Sequence, residues 1–207
     1  MIPLPRYSEP EKVGKEMRAS LLLTLVLWTL GVPVVAQAPK ALTPAEQALM
    51  ESAFAGKLDA VKALVEEGTA VDATDPEKHT SMMWAAFNGH TQVVAFLLDK
   101  GAKVDAKDAS GRTALMYASS GPFRETVELL LEKGADVNLQ GTQEGFTALM
   151  TAAAEGQVEV ARLLLAHGAD PTLKDVDGDT AESFARQKGH PAVVDLLNSP
   201  PPPVKKD

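Results

Sequence analysis

The sequence predicts an all-α solenoid of about five helix–turn–helix units joined by short β-hairpins. Two observations predict it. The stretch 80–104, TSMMWAAFNGHTQVVAFLLDKGAKV, recurs at a fixed offset: Thr80 and Thr113 stand 33 residues apart, as do Gly101 and Gly134. Trp84-Ala85-Ala86 falls on Tyr117-Ala118-Ser119, and Phe96-Leu97-Leu98 on Leu129-Leu130-Leu131. A period of this length marks units that cannot bury an apolar face alone and must stack to form one core. Each period also holds two apolar runs at helical spacing, separated by a glycine-bearing turn.

The frame extends both ways. Thr147 follows Thr113 by 34 residues and Thr180 follows Thr147 by 33, the extra residue falling within 141–146. Gln47 lies 33 before Thr80, and Gly68 lies 33 before Gly101. The units therefore run near 43–74, 75–107, 108–140, 141–174 and 175–198.

Residues 1–36 read as an export signal. The apolar stretch 21–30, LLLTLVLWTL, follows Arg18 and precedes Val34-Val35-Ala36-Gln37-Ala38, with small residues at cleavage spacing. Cleavage is expected after Ala36, because cleavage after Ala38 would put Pro39 beside the scissile bond. Met17 is an alternative start to Met1. The stretch 21–36 contains Gly31 and Pro33 and falls short of the roughly 20 residues a spanning helix needs. No stable membrane anchor is expected once the signal is removed, and an exported protein, periplasmic or secreted, follows.

Residues 37–42 form a linker. Thr43, Pro44 and Glu46 then open the first helix: a capping hydroxyl, a proline suited to the first helical position, and a carboxylate that can bond back. No hairpin precedes this unit, as befits a terminal unit with no neighbour to pair with. In the second unit Met82, Met83, Ala85 and Ala86 are the apolar positions of the first helix, and Gly89 stands in the turn. Val93, Val94, Phe96, Leu97 and Leu98 form the wide face of the second helix. Lys100, Lys133 and His167 end the second helices, followed by Gly101, Gly134 and Gly168, where a left-handed residue terminates the helix. The third unit places Pro122 where Gly89 stands, with Gly121 before it, and a reshaped turn is expected. The hairpins fall at 75–79, 108–112, 140–146 and 175–179. The last unit turns polar at Glu182, Arg186 and Asn198, keeping an unpartnered face soluble. Residues 199–207, SPPPPVKKD, read as a disordered tail.

These residues resemble the ankyrin repeat family, whose pattern runs D-x-x-G-x-T-P-L-H-x-A-A-x-x-G-H and then V-V-x-L-L-L-x-x-G-A. Thr80, Ala85, Ala86, Gly89, His90, Val93, Val94, Leu97, Leu98, Gly101 and Ala102 match it, and Asp108, Gly111 and Thr113 open the next unit in register. The family's proline is replaced by Ser81, Ala114, Ala148 and Ala181. Its histidine is replaced by Met50, Met83, Met116 and Met150, so the histidine's hydrogen bonds at the helix start do not carry over. The resemblance implies an ankyrin repeat solenoid with a binding surface made of hairpin tips and the concave inner-helix face.

Composition narrows the chemistry. There is no cysteine, which excludes disulfides and thiolate metal sites. The chain carries −8, and four basic against three acidic residues in 1–36 leave −9 for the rest. Such an array is a poor match for nucleic acid, whose binding rests on Lys and Arg. Asp175, Asp177 and Asp179 suggest calcium, but an EF-hand loop counted from Asp175 would need Glu where Arg186 stands. They read instead as a hairpin turn. His79, His90, His167 and His190 lack helical metal-ligand spacing, and the methionine row comes from separate units, so no metal and no cofactor are expected. No motif places a nucleophile beside a base, and no enzymatic activity is expected. Trp84 and Tyr117 share one repeat position with Thr151 and Phe184, where the family packs an apolar residue.

The function expected is non-catalytic protein binding by a monomer: an adaptor, inhibitor or stabiliser of another exported protein. The alternatives are a metal-binding or enzymatic protein using the acidic hairpins, and a scaffold tethered by an uncleaved 21–36. The positions after each Ala-Ala pair face the groove in the family pattern, and here they include Phe54, Phe87 and Asn88. With Glu77, Lys78, His79, Ser110 and Arg112 at the adjoining tips they form the expected protein-binding site, in the N-terminal half of the array.

Overall fold

A computed structural model describes residues 42–199; the stretch read as an export signal, most of the linker and nearly all of the tail lie outside them. Ten helices are found among the described residues, two per unit: α1 Pro44–Phe54, α2 Leu58–Glu66, α3 Ser81–Phe87, α4 Thr91–Asp99, α5 Ala114–Ala118, α6 Arg124–Glu132, α7 Ala148–Ala154, α8 Val158–Ala166, α9 Ala181–Lys188 and α10 Pro191–Asn198. First helices stack on first helices and second on second along the chain. The only extended pairing among the described residues is a single bridge between Thr74 and Thr80.

Helices α1, α3 and α7 start for a local reason. Thr43 caps α1 by accepting from the Glu46 N–H at 3.2 Å, while the Glu46 carboxylate accepts from the Thr43 N–H at 2.8 Å. In α3 and α7 a methionine takes the glutamate's place. The Thr80 and Thr147 N–H groups donate to the Met83 and Met150 sulfurs, each at 3.4 Å, and the threonine hydroxyls accept from the Met83 and Met150 N–H groups. The methionine row is thus buried filling, and at Met83 and Met150 it also satisfies a helix-end donor.

The core is a ladder of equivalent residues. Leu97, Leu130 and Leu164 have no exposed surface, and neither do Val94, Val127 and Ala161 in the preceding turn. The alanine pairs Ala85-Ala86 and Ala152-Ala153 are also fully buried, letting the first helices approach closely. Ser81 breaks the pattern: its hydroxyl is buried with no partner, where the other units carry alanine. An unpaired buried hydroxyl costs about 1–3 kcal/mol. Ser81→Ala should therefore raise stability by about 1 kcal/mol, read as a higher urea midpoint at unchanged slope.

The third unit is reshaped as expected. Its α5 is only five residues long, and the Ser119 and Ser120 hydroxyls donate back to the Leu115 and Tyr117 carbonyls at 2.7 and 2.8 Å. Phe123 stands where the neighbouring units have His90 and Gln157, and its ring lies against Gly89 and Gly121. At the other interfaces this position carries a polar group that reaches back one unit. His90 Nε2 lies 3.0 Å from the Phe54 carbonyl, Gln157 Nε2 3.5 Å from that of Ser120, and His190 Nε2 3.1 Å from that of Ala154.

The hairpins form a second ladder. Each closes on itself, with Asp75 N–H donating to the His79 carbonyl, Asp108 to Arg112, Gly141 to Phe146 and Asp175 to Asp179. The later three also donate to the one before: Ala109 N–H to the Glu77 carbonyl at 2.8 Å, Thr142 to Ser110 at 2.8 Å, Val176 to Glu144 at 3.1 Å. In the first hairpin the equivalent residue is Pro76, which has no N–H. The ladder therefore ends without an open donor at its edge. At the far end Glu182, Arg186 and Asn198 form a bonded group. Arg186 and Asn198 donate to Glu182 Oε1 at 2.6 and 2.9 Å, and the Glu182 carboxyl is held below its usual range, by Asn198 first and then Arg186.

Candidate functional site

The 33-residue period places Trp84 of α3 and Tyr117 of α5 in the same position of adjacent units, so their rings become neighbours, with centroids 6.5 Å apart. Phe54, at the end of α1, meets Trp84 edge to face at 5.9 Å. Phe87, at the end of α3, meets Tyr117 in the same way at 6.2 Å. The first hairpin lays His79 against Trp84 at 4.7 Å. The result is one aromatic row across units one to three. Pairs of this geometry add about 0.5–1.5 kcal/mol each beyond buried area.

A polar layer holds the row in place. Asp108 is buried; its Oδ1 accepts the Ser110 and Arg112 N–H groups at 2.8 Å each, and its Oδ2 accepts the Tyr117 hydroxyl at 2.7 Å. Burial first, and the Asp108 hydrogen bond and charge next, push the Tyr117 phenol well above its ordinary pKa, so it remains a donor. Asp75 accepts the His79 N–H at 2.8 Å and sets its other oxygen 2.8 Å from His79 Nδ1. His79 Nε2 lies 3.7 Å from Asp108.

The eight residues singled out from sequence meet different fates. Phe54 is 41% exposed. Phe87 does not stack on Phe54 and is not free of packing: it is half-buried against Tyr117, because the next unit's ring stands directly beside it. Asn88 donates to the Phe54 carbonyl at 2.7 Å and so positions Phe54. Glu77 and Lys78 are exposed at the tip, Lys78 with φ 63° where Gly111, Gly145 and Gly178 stand in the other hairpins. His79 joins the row. Ser110 and Arg112 face the third hairpin: the Ser110 carbonyl accepts from Thr142, and Arg112 pairs with Glu144 at 3.0 Å.

Trp84 and Tyr117 pack as the repeat position implies; Asp75 and Asp108, which hold the row, are not among the expected site residues. The signals were an aromatic recurring at one period and an aspartate opening each hairpin. The C-terminal half has no such row. Thr151 stands in the aromatic position and bonds the Thr147 carbonyl at 3.1 Å, while Phe184 pairs with Phe146 at 5.0 Å. The aspartates at 175–179 serve the turn: Asp175 Oδ1 accepts the Asp177 and Asp179 N–H groups at 3.0 and 2.8 Å. A His–carboxylate group occurs in the first hairpin instead, where Asp75, Glu77 and His79 converge.

The stacked helix pairs, with the aromatic row, its fixed polar layer and the exposed charged tips on one side, define a helical repeat protein. A family model described as ankyrin repeats, in three copies, matches residues 49–141 and 125–202. The chain belongs to the ankyrin repeat family, whose repeats are generally protein–protein interaction modules and typically not enzymes. No curated protein matches the sequence. Among the described residues no helix is long and apolar enough to cross a membrane.

Proposed function

We propose that this chain is a non-catalytic protein-binding module that works outside the cytoplasm, as an adaptor, inhibitor or stabiliser of another exported protein. The observation that carries the reading is the aromatic row, which occupies only units one to three and ends in the exposed Phe54 beside the charged tip of Glu77 and Lys78. Aromatic anchors with a polar rim are the usual composition of a binding hot spot. The apolar stretch 21–30, with Arg18 before it and small residues after it, supports export. A fusion of residues 17–40 to a reporter should be translocated and processed near Ala36; a cytoplasmic reporter would remove the location from the proposal.

The binding test is comparative. With a partner captured from the exported fraction, Phe54→Ala should weaken affinity by about 1–2 kcal/mol and lower the melting temperature less than Phe87→Ala does, because its ring, though set against Trp84, is 41% exposed. Phe87→Ala should weaken binding and stability together, since it also removes the contact with Tyr117. Glu155→Ala, in the other half of the array, should leave affinity unchanged. A larger loss from Glu155→Ala than from Phe54→Ala would place the site elsewhere.

A further inference from the structure

We propose that the first hairpin binds a divalent transition-metal cation of the zinc type, with Asp75, Glu77 and His79 as ligands. Each offers one ligand atom, and these atoms lie within 4.8 Å of one another. The D-x-E-x-H spacing is not a helical metal motif. The turn gathers the three side chains by closing Asp75 N–H onto the His79 carbonyl at 3.2 Å. A tetrahedral ion held at about 2.0–2.2 Å sets its ligands about 3.4 Å apart. His79 Nδ1 and Asp75 Oδ2, at 2.8 Å, need only separate slightly, and Glu77 is an exposed tip side chain free to swing inward.

A residue outside this set would support a cation held on His79. Asp108, on the second hairpin with its side chain 4% exposed, faces His79 Nε2 at 3.7 Å. With a cation on Nδ1, the ring proton sits on Nε2 and points toward the Asp108 carboxylate. A carboxylate behind a ligating histidine is the usual outer support of such sites. Asp108 is fixed for this role by two backbone N–H groups and the Tyr117 hydroxyl. Two carboxylates and one imidazole suit zinc, with water completing the shell; calcium takes six or more oxygens and magnesium prefers an octahedral oxygen shell. The inference does not depend on the protein-binding reading, and either can fail alone.

The test uses the full, untagged chain carrying Trp28→Phe, which leaves Trp84 as the only indole. Because the Trp84 ring lies 4.7 Å from that of His79, a cation there changes its emission. Zinc should give a saturable fluorescence change and a calorimetric stoichiometry of one ion per chain, and calcium at equal concentration neither. Glu77→Gln should bind at least tenfold more weakly, and His79→Gln should lose binding. Asp177→Ala, which alters the acidic hairpin of the last unit, should match the parent. The proposal is overturned if the parent shows no one-to-one zinc binding, if Glu77→Gln binds as tightly as the parent, or if Asp177→Ala weakens binding as much as Glu77→Gln. Should His79→Gln fail to fold, Glu77→Gln, at an exposed position, decides.

Discussion

Leu130→Ala is expected to destabilise the protein by about 2–5 kcal/mol. Leu130 has no exposed surface and lies in α6, which packs between α4 and α8 at the middle of the array. Removing its isobutyl group takes contacts from the helices of three units at once. Those helices are held by their own buried residues, Val94 and Leu97 before it, Leu163 and Leu164 after it, so the cavity cannot readily collapse. An array of this size unfolds as one unit, so the loss should move a single urea transition rather than split it. A change below about 1 kcal/mol would show that the site collapses, and that the register of the leucine ladder is not what holds the units together.

Gly111→Ala is expected to cost about 2–5 kcal/mol, and the comparison with Gly101→Ala isolates the cause. Both glycines have positive φ, 80° and 90°. A Cβ at Gly101 meets open space, so its replacement carries only the left-handed strain of about 1–2 kcal/mol. A Cβ at Gly111 would stand 2.3 Å from the Thr142 backbone nitrogen. That nitrogen donates to the Ser110 carbonyl at 2.8 Å, so moving it away breaks the bond joining the second and third hairpins. Thermal melts of the two variants should therefore differ, with Gly111→Ala the lower. Equal melting temperatures would mean that the hairpin ladder adds nothing beyond the strain of each turn.

Much of the array could be read in the chain because its signals are local or strictly periodic. Thr43, Pro44 and Glu46 cap α1 within four residues, and the left-handed Gly101, Gly134 and Gly168 end their helices wherever the units sit. The buried leucines follow from a period in which every copy meets the same surroundings. The surroundings of the candidate residues were legible only in part. That Phe54, Glu77 and His79 share a region follows from the repeat frame. That Arg112 is held by Glu144, and that Phe87 rests on Tyr117, does not.

Tertiary structure alone decided how side chains from successive units are used. Arg112 and Glu144 are 32 residues apart, and His90 and Phe54 are 36, yet each pair is in hydrogen-bond contact because the units stack. Whether a polar or aromatic residue at a repeat position stays free depends on what its neighbour one unit away carries, and the units differ there. The approach of the Asp108 carboxylate to His79 Nε2, at 3.7 Å, arises in the same way. The repeat period determined where each residue stands. Stacking determined what it touches, because hydrogen bonds and ring contacts depend on distances of a few ångströms that a period of residues does not specify.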